Sequence, residues 1–389
     1  MRGPHWPVLF LAGLGCFTGL SAAEPSAMLC SFERVEIDGQ PPTNPYLKLA
    51  GDFNCDGRLD IAVGGAKGLL VWYVNPDWRE VRIADGGWET VGGAVADMDG
   101  DGDADIVPGA QIWLENPRPQ RDATHDSWPV HRISQIRSHD ALVADLDRDG
   151  LVDVIARDQS NFKRNTGNSV HMWRHVAGDH WEHHVIECPH GEGLALADLD
   201  RDGDTDVVIG GCWFENPGRI AAEWPKRVYT TGWSWADAKV NTGDFNGDGR
   251  TDIVLAPAEY KDQTYRLAWY ESPEDPRQGD WREQIILPET ESVVHSLQVA
   301  DLNGDGRTDI AIARMHQGSP PQEVAVFTNG GQGDRWTKTV LSERGSHDIL
   351  AADVDGNGQP DILGANHSGP YQPVELWMNR TGRNRAITP

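Results

Sequence analysis

Seven times the sequence returns to the pattern Asp-x-Asp/Asn-x-Asp/Asn-Gly-x-x-Asp, at intervals of 45, 48, 53, 46, 57 and 52 residues. The side-chain sets are Asp52, Asn54, Asp56, Asp60; Asp97, Asp99, Asp101, Asp105; Asp145, Asp147, Asp149, Asp153; and Asp198, Asp200, Asp202, Asp206. The last three are Asp244, Asn246, Asp248, Asp252; Asp301, Asn303, Asp305, Asp309; and Asp353, Asp355, Asn357, Asp361. A fixed period of this size means one supersecondary unit stacked repeatedly on its neighbours. Oxygen ligands at alternate positions, with glycine at the sharp turn, suit a hard cation, so up to seven structural Ca²⁺ ions are expected. An EF-hand is excluded. Its twelfth position needs a carboxylate, whereas Val63, Pro108 and Ile209 stand there and the flanks have strand character.

An apolar strand precedes each loop, as in Ala141–Ala144, and another follows it, as in Asp252–Leu255. A third carries an aromatic (Trp72, Trp113, Trp173, Trp213, Trp269, Phe327, Trp377), and a fourth opens on Trp78, Trp128, Trp181, Trp224, Trp281 or Trp336. Four strands per unit is the sequence form of a propeller blade. The seventh unit lacks a fourth strand, and Ser31–Ile37 has the right alternation to supply it. The expectation is an all-β, seven-bladed β-propeller of four antiparallel strands per blade. It occupies residues 24–389 as one domain, its last blade closed by the N-terminal strand.

Arg2, the apolar run Val8–Leu20 and Ser21-Ala22-Ala23 form an export signal over residues 1–23. A lipoprotein reading would use Cys16, but Gly13 stands where a large aliphatic residue is usual. The mature chain is expected in the periplasm or outside the cell, without membrane insertion. Four cysteines remain there (Cys30, Cys55, Cys188, Cys212), which permits two disulfides. The formal charge of −26 argues against nucleic acid as a partner. The loops hold 26 Asp residues, and seven divalent ions would bring the charge to about −12, so much of the acidity is a metal requirement.

These repeats resemble the FG-GAP/VCBS repeats of integrin α-subunit propellers and of many exported bacterial proteins. The resemblance implies the propeller fold and calcium. If each inner strand runs down the central tunnel, the Asp loops lie on the lower face. The connections into the inner strands, and those between second and third strands, lie on the upper face. There the chain concentrates imidazoles with cations and a phenol. His295, His316, His347 and Arg314 from blades six and seven are the first catalytic candidates, followed by His139, Arg157, His190, Lys239, Tyr260 and His367. A base beside a carboxylate, a cation for the developing enolate and an acid for the leaving oxygen make a β-elimination site. The arrangement is loosely similar to propeller lyases and dehydratases such as aldos-2-ulose dehydratase and L-rhamnose-α-1,4-D-glucuronate lyase. That similarity implies a carbohydrate-active carbon–oxygen lyase acting on a uronate or keto-sugar. The alternative is a non-catalytic propeller that binds a glycan or a protein. Imidazoles on that face also suit a transition metal. Gly-x-Ser-x-Gly and His-Glu-x-x-His are absent.

Overall fold

The repeats fold as seven four-stranded antiparallel sheets, each in simple sequence order except the last. In this computed structural model the described residues are 30–88, 92–158, 167–279 and 281–382. The expected export signal and Cys16 lie outside them. Blade 1 is built from Pro45–Gly51, Asp60–Gly65, Gly68–Val74 and Arg79–Gly86. The inner strands of blades 2 to 7 are Ala94–Ala96, Ser138–Ala144, Ala195–Ala197, Ala238–Gly243, Val294–Ala300 and His347–Ala352. No helix occurs among the described residues.

The last sheet takes its outer strand from the N-terminus, as expected: Phe32–Asp38 pairs antiparallel with Val374–Asn379. Arg34 pairs across this seam with the buried Glu375, which also accepts a 2.6 Å bond from the Tyr371 hydroxyl. The apolar core is seven clusters rather than one, each shared by two adjacent blades. The cluster of Leu363, Val374 and Leu376 with Ile61, Val71 and Tyr73, for example, joins blade 7 to blade 1. The third-strand aromatics are all buried. The fourth strands mostly begin one or two residues after the repeated Trp rather than on it. Trp128, Trp224 and Trp281 instead pack under the preceding turn, their Nε1 atoms donating to Ala123, Ile220 and Pro276 carbonyls.

The expected disulfides do not form: all four described cysteines are free thiols. Cys30 is buried, its thiol on the Leu302 carbonyl at 3.5 Å, whereas Cys55 sits exposed at a loop tip with φ of 57°. Cys188 and Cys212 share one apolar cluster, where burial pushes the Cys212 thiol up to about 11.

The final Asp of each loop starts the second strand and is fully buried in every blade. Its Oδ1 accepts an amide near the end of the third strand or just past it, at 2.6–2.8 Å in all seven blades. In blades 2 to 7 its Oδ2 also accepts an amide at the start of the loop, at 2.8–3.0 Å. In five blades the residue donating that amide is Asn, and its side-chain amide reaches the neighbouring blade. Asn75 donates to Val354, Asn116 to Phe53, Asn216 to Leu146, Asn329 to Phe245 and Asn379 to Leu302, all at 2.7–3.0 Å. The Glu-Asn-Pro turns at 115–117 and 215–217 thus bolt one blade to the next.

Removing such a bolt strands buried carbonyls, which costs about 1–3 kcal/mol. Asn329→Ala should lower the unfolding free energy by that amount in urea denaturation. Val340→Thr, on an exposed outer-strand position, should stay within about 0.5 kcal/mol.

Candidate functional site

Six residues before the first Asp of its loop, in or just before the inner strand, six of the blades offer a described residue to the upper mouth of the tunnel. Blades 1, 3, 4, 5, 6 and 7 place Tyr46, His139, Glu192, Ala238, His295 and His347 there. In blades 1, 3, 6 and 7 the pairing register shifts at or beside this position. Such a bulge re-aims a side chain off the normal alternation. In blade 4, Gly191 and Gly193 flank Glu192, with φ of 145° and 91°. A Cβ on either would meet the Ala236 or Ala238 carbonyl oxygen at 2.1 or 2.0 Å. Only glycine lets this backbone lie against blade 5.

Five imidazoles run in contact across the mouth. His139 meets His295 edge-on at 5.3 Å between centroids, His295 stacks on His347 at 4.3 Å, His347 touches His367 at 4.2 Å, and His367 meets His316 at 5.2 Å. Tyr46 closes over His347 and His367. On the other side Glu259 reaches His295 Nε2 at 2.5 Å, and Glu192 lies 3.6 Å from His139 and 3.8 Å from His295. Below them a channel of about 440 Å³ is lined by residues of all seven blades, with Lys48, Asp140, Lys239, His295 and Asp348 as its charged or titratable groups.

These surroundings divide the imidazoles. Burial and Lys239 oppose a proton on His295, but Glu259 and Glu192 outweigh them and raise it to about 9. Burial, then the neighbouring His295, holds His347 far below its ordinary value. Burial and His316 push His367 down to about 3, and burial lowers His316. Burial opposes the charge on Lys239, but Asp140, 3.2 Å away, together with Asp348, Glu192 and Glu259 outweighs it and raises the ammonium above its ordinary value.

Of the residues singled out from sequence, His139, Lys239, His295, His316, His347 and His367 come together. Tyr260 stands beside them, half-buried, donating to Asp237 at 2.9 Å. Arg157 and Arg314 do not face the mouth. Arg157 is spent on the carbonyls of Pro189, Glu192 and Gly193 at 2.7–2.9 Å, bracing the Glu192 loop. Arg314 is held by Glu291 and the Pro321 and Ser319 carbonyls. His190 is half-buried on the loop before Glu192. Sequence reasoning passed over Glu192, Lys48 and Tyr46, and gave Glu259, Asp140 and Asp348 no role. Counting back a constant six residues from each loop would have found Tyr46 and Glu192.

Residues 52–107, 244–312 and 301–364 match the family model described as FG-GAP-like repeat. The chain carries FG-GAP-like repeats. No curated protein matches it. Among solved structures, BBS1N, crystallised in complex with ARL6DN, is 11% identical over 92% of this chain and 98% of its own, with a TM-score of 0.55. This is a likeness of fold. The rhamnogalacturonan lyase YesW is 12% identical, with coverages of 89% and 75% and a TM-score of 0.47. The V. cholerae biofilm matrix protein Bap1 is 11% identical, with coverages of 86% and 77% and a TM-score of 0.35.

Lys48 gives the mouth a measurable pH signature. Burial lowers its ammonium to about 8 against the ordinary 10.5, with Asp348 opposing. Between those values the unfolded chain binds more protons than the folded one, so this lysine's contribution to stability rises with pH. Wild type should gain on Lys48→Met by up to about 3 kcal/mol between pH 8 and pH 10.5, read from paired urea titrations.

Proposed function

We propose that the protein is an exported carbohydrate-active carbon–oxygen lyase that performs β-elimination on an acidic sugar at the upper mouth of the channel. The observation that carries this reading is the stacked pair His295 and His347. Their rings are 4.3 Å apart, yet their surroundings push their proton affinities in opposite directions. Paired titratable groups driven apart in this way are the mark of an acid/base site.

In this reading Lys239, with the positive charge on the His295 side, receives the substrate carboxylate and stabilises the enolate that forms from it. The neutral imidazoles of His347 and His367 face that position, and neither Nδ1 has a hydrogen-bond partner. An anionic substrate beside them would raise their affinity for a proton, which suits a base that abstracts the proton next to the carboxylate. In this reading His316, half-buried at the rim beside Ser368 and in ring contact with His367, takes up the abstracted proton from that ring and passes it to the leaving oxygen.

We also propose that the acidic loops hold calcium, which would supply structural charge neutralisation. Both oxygens of buried Asp103, and Oδ1 of Asp147 and Asp198, lack a hydrogen-bond partner. Unpaired carboxylate oxygens in such loops fit a hard cation.

A second reading, a glycan-binding propeller without catalysis, is favoured by an aromatic ledge on blade 5. Trp235 stacks on Tyr265 at 5.5 Å, and Arg266 lies over the rings of Tyr265 and Trp233. The two readings separate in one assay. Uronic-acid polysaccharides and rhamnosyl-glucuronates are incubated with the protein, and the ultraviolet absorbance of an unsaturated product is followed. Turnover is expected, with losses of at least about a hundredfold in His367→Gln and His316→Gln and unchanged melting temperatures. Full activity in both variants would overturn the site. Glycan binding without turnover would favour the ledge.

A further inference from the structure

We propose that His139, Glu192, Glu259 and His295 form a binding site for one divalent first-row transition ion, distinct from the acidic loops at the opposite end of the inner strands. One ligand atom from each lies within 4.8 Å of the others. The four come from four consecutive blades, 3 to 6, so the ring closure itself assembles the set. Two imidazoles and two carboxylates are a borderline donor set, suited to ions such as Zn²⁺ and poorly matched to the all-oxygen preference of Ca²⁺.

Glu192 points most directly to a ligand. It has no solvent exposure, and neither carboxylate oxygen accepts a hydrogen bond. A buried carboxylate whose oxygens accept no hydrogen bond is costly unless a close charge or a metal offsets it. Its nearest cationic candidates, the two histidine Nε2 atoms, stand at 3.6 and 3.8 Å. Those separations are too long for hydrogen bonds but close to the edge of a tetrahedron, roughly 3.3 Å for ligands about 2.0–2.1 Å from the ion. The 2.5 Å pair of His295 with Glu259 is a hydrogen-bonded contact, and binding requires it to open by slightly under an ångström.

The surrounding groups are arranged as a support for such an ion. His139 Nδ1 bonds Asp140 at 3.0 Å, which leaves its Nε2 facing Glu192. A carboxylate on the far nitrogen is the usual partner of a metal-bound imidazole. Asp140 is itself fixed by Lys239 at 3.2 Å and the Gly193 amide at 3.0 Å. Glu259 is held at φ of 81°, a conformation that costs free energy in a non-glycine residue and aims its side chain at His295. The charges also need a cation. Asp140, Glu192, Asp237, Glu259 and Asp348 bring five carboxylates to this end of the channel, against Lys48, Arg157 and Lys239. With both imidazoles neutral, as metal ligands must be, two negative charges are left over, which is the charge of one divalent ion.

The inference does not rest on the elimination reading, because a purely binding propeller could carry the same centre. The test uses full-length protein stripped with chelator and returned to excess Ca²⁺ to occupy the loops. Co²⁺ is then titrated, with bound metal counted by mass spectrometry and the visible bands of tetrahedral Co²⁺ followed. One equivalent should bind, with affinity falling at least tenfold in both Glu192→Gln and His139→Gln. Circular dichroism reports folding of each variant, and His295→Gln replaces either that fails to fold. Absence of Co²⁺ binding in excess Ca²⁺, or equal binding and spectra in folded variants, would overturn the proposal. Co²⁺ binding without turnover on any sugar would leave the metal site standing and remove the lyase reading.

Discussion

Each acidic loop ends in an aspartate that has been taken out of water, and that carboxylate ties the loop to the end of its own third strand. The burial is expensive: it raises Asp105, Asp153, Asp206, Asp252 and Asp309 to about 7. Two charge-assisted bonds to backbone amides offset the cost in most blades, and the adjacent Asn carries the connection into the next blade. Because seven cores are shared pairwise rather than one core lying at the centre, these loop-to-blade ties hold the ring at its lower rim. Blades 3 and 5 depart from the scheme, with His175 and Ser272 at the Asn position.

The ring geometry then decides what the upper face can do. A single register position, six residues before each loop, is repeated around the channel mouth, so chemistry distant in sequence converges without any special connection. Tyr46, His139, Glu192, His295 and His347 are neighbours for this reason, although 301 residues separate the first from the last. The half-buried rim of Tyr260, Glu259 and His316 overlies them, and the charged wall of Lys48 and Lys239 lies beneath.

Much of this was legible in the sequence because the repeat is strict. The Asp spacing fixes the loops, the aromatics mark the third strands, and the incomplete seventh unit implies closure by Ser31–Ile37, seen in the structure as Phe32–Asp38. The imidazoles of blades 3, 6 and 7 were also visible as a concentration of one residue type. Glu192 was not, since a single glutamate between two glycines looks like an ordinary turn until those glycines, at positive φ, let it lie against blade 5. Arg157 and Arg314 misled for the opposite reason: a guanidinium near a site is equally suited to gathering carbonyls, and here both do so. Cysteine count likewise could not foresee that Cys55 would face solvent while Cys30 is buried.

Both ends of the inner strands therefore carry more buried negative charge than their own lysines and arginines balance. We propose that cations complete it, with the larger share of that demand in the loops. The most direct test is the thermal melting temperature in saturating Ca²⁺ compared with excess chelator. Loops that bind calcium should lose on the order of 10 °C, since each site held at a hundredfold over its Kd adds about 2.7 kcal/mol. An unchanged melting temperature, in protein shown by mass spectrometry to have lost its calcium, would contradict the account.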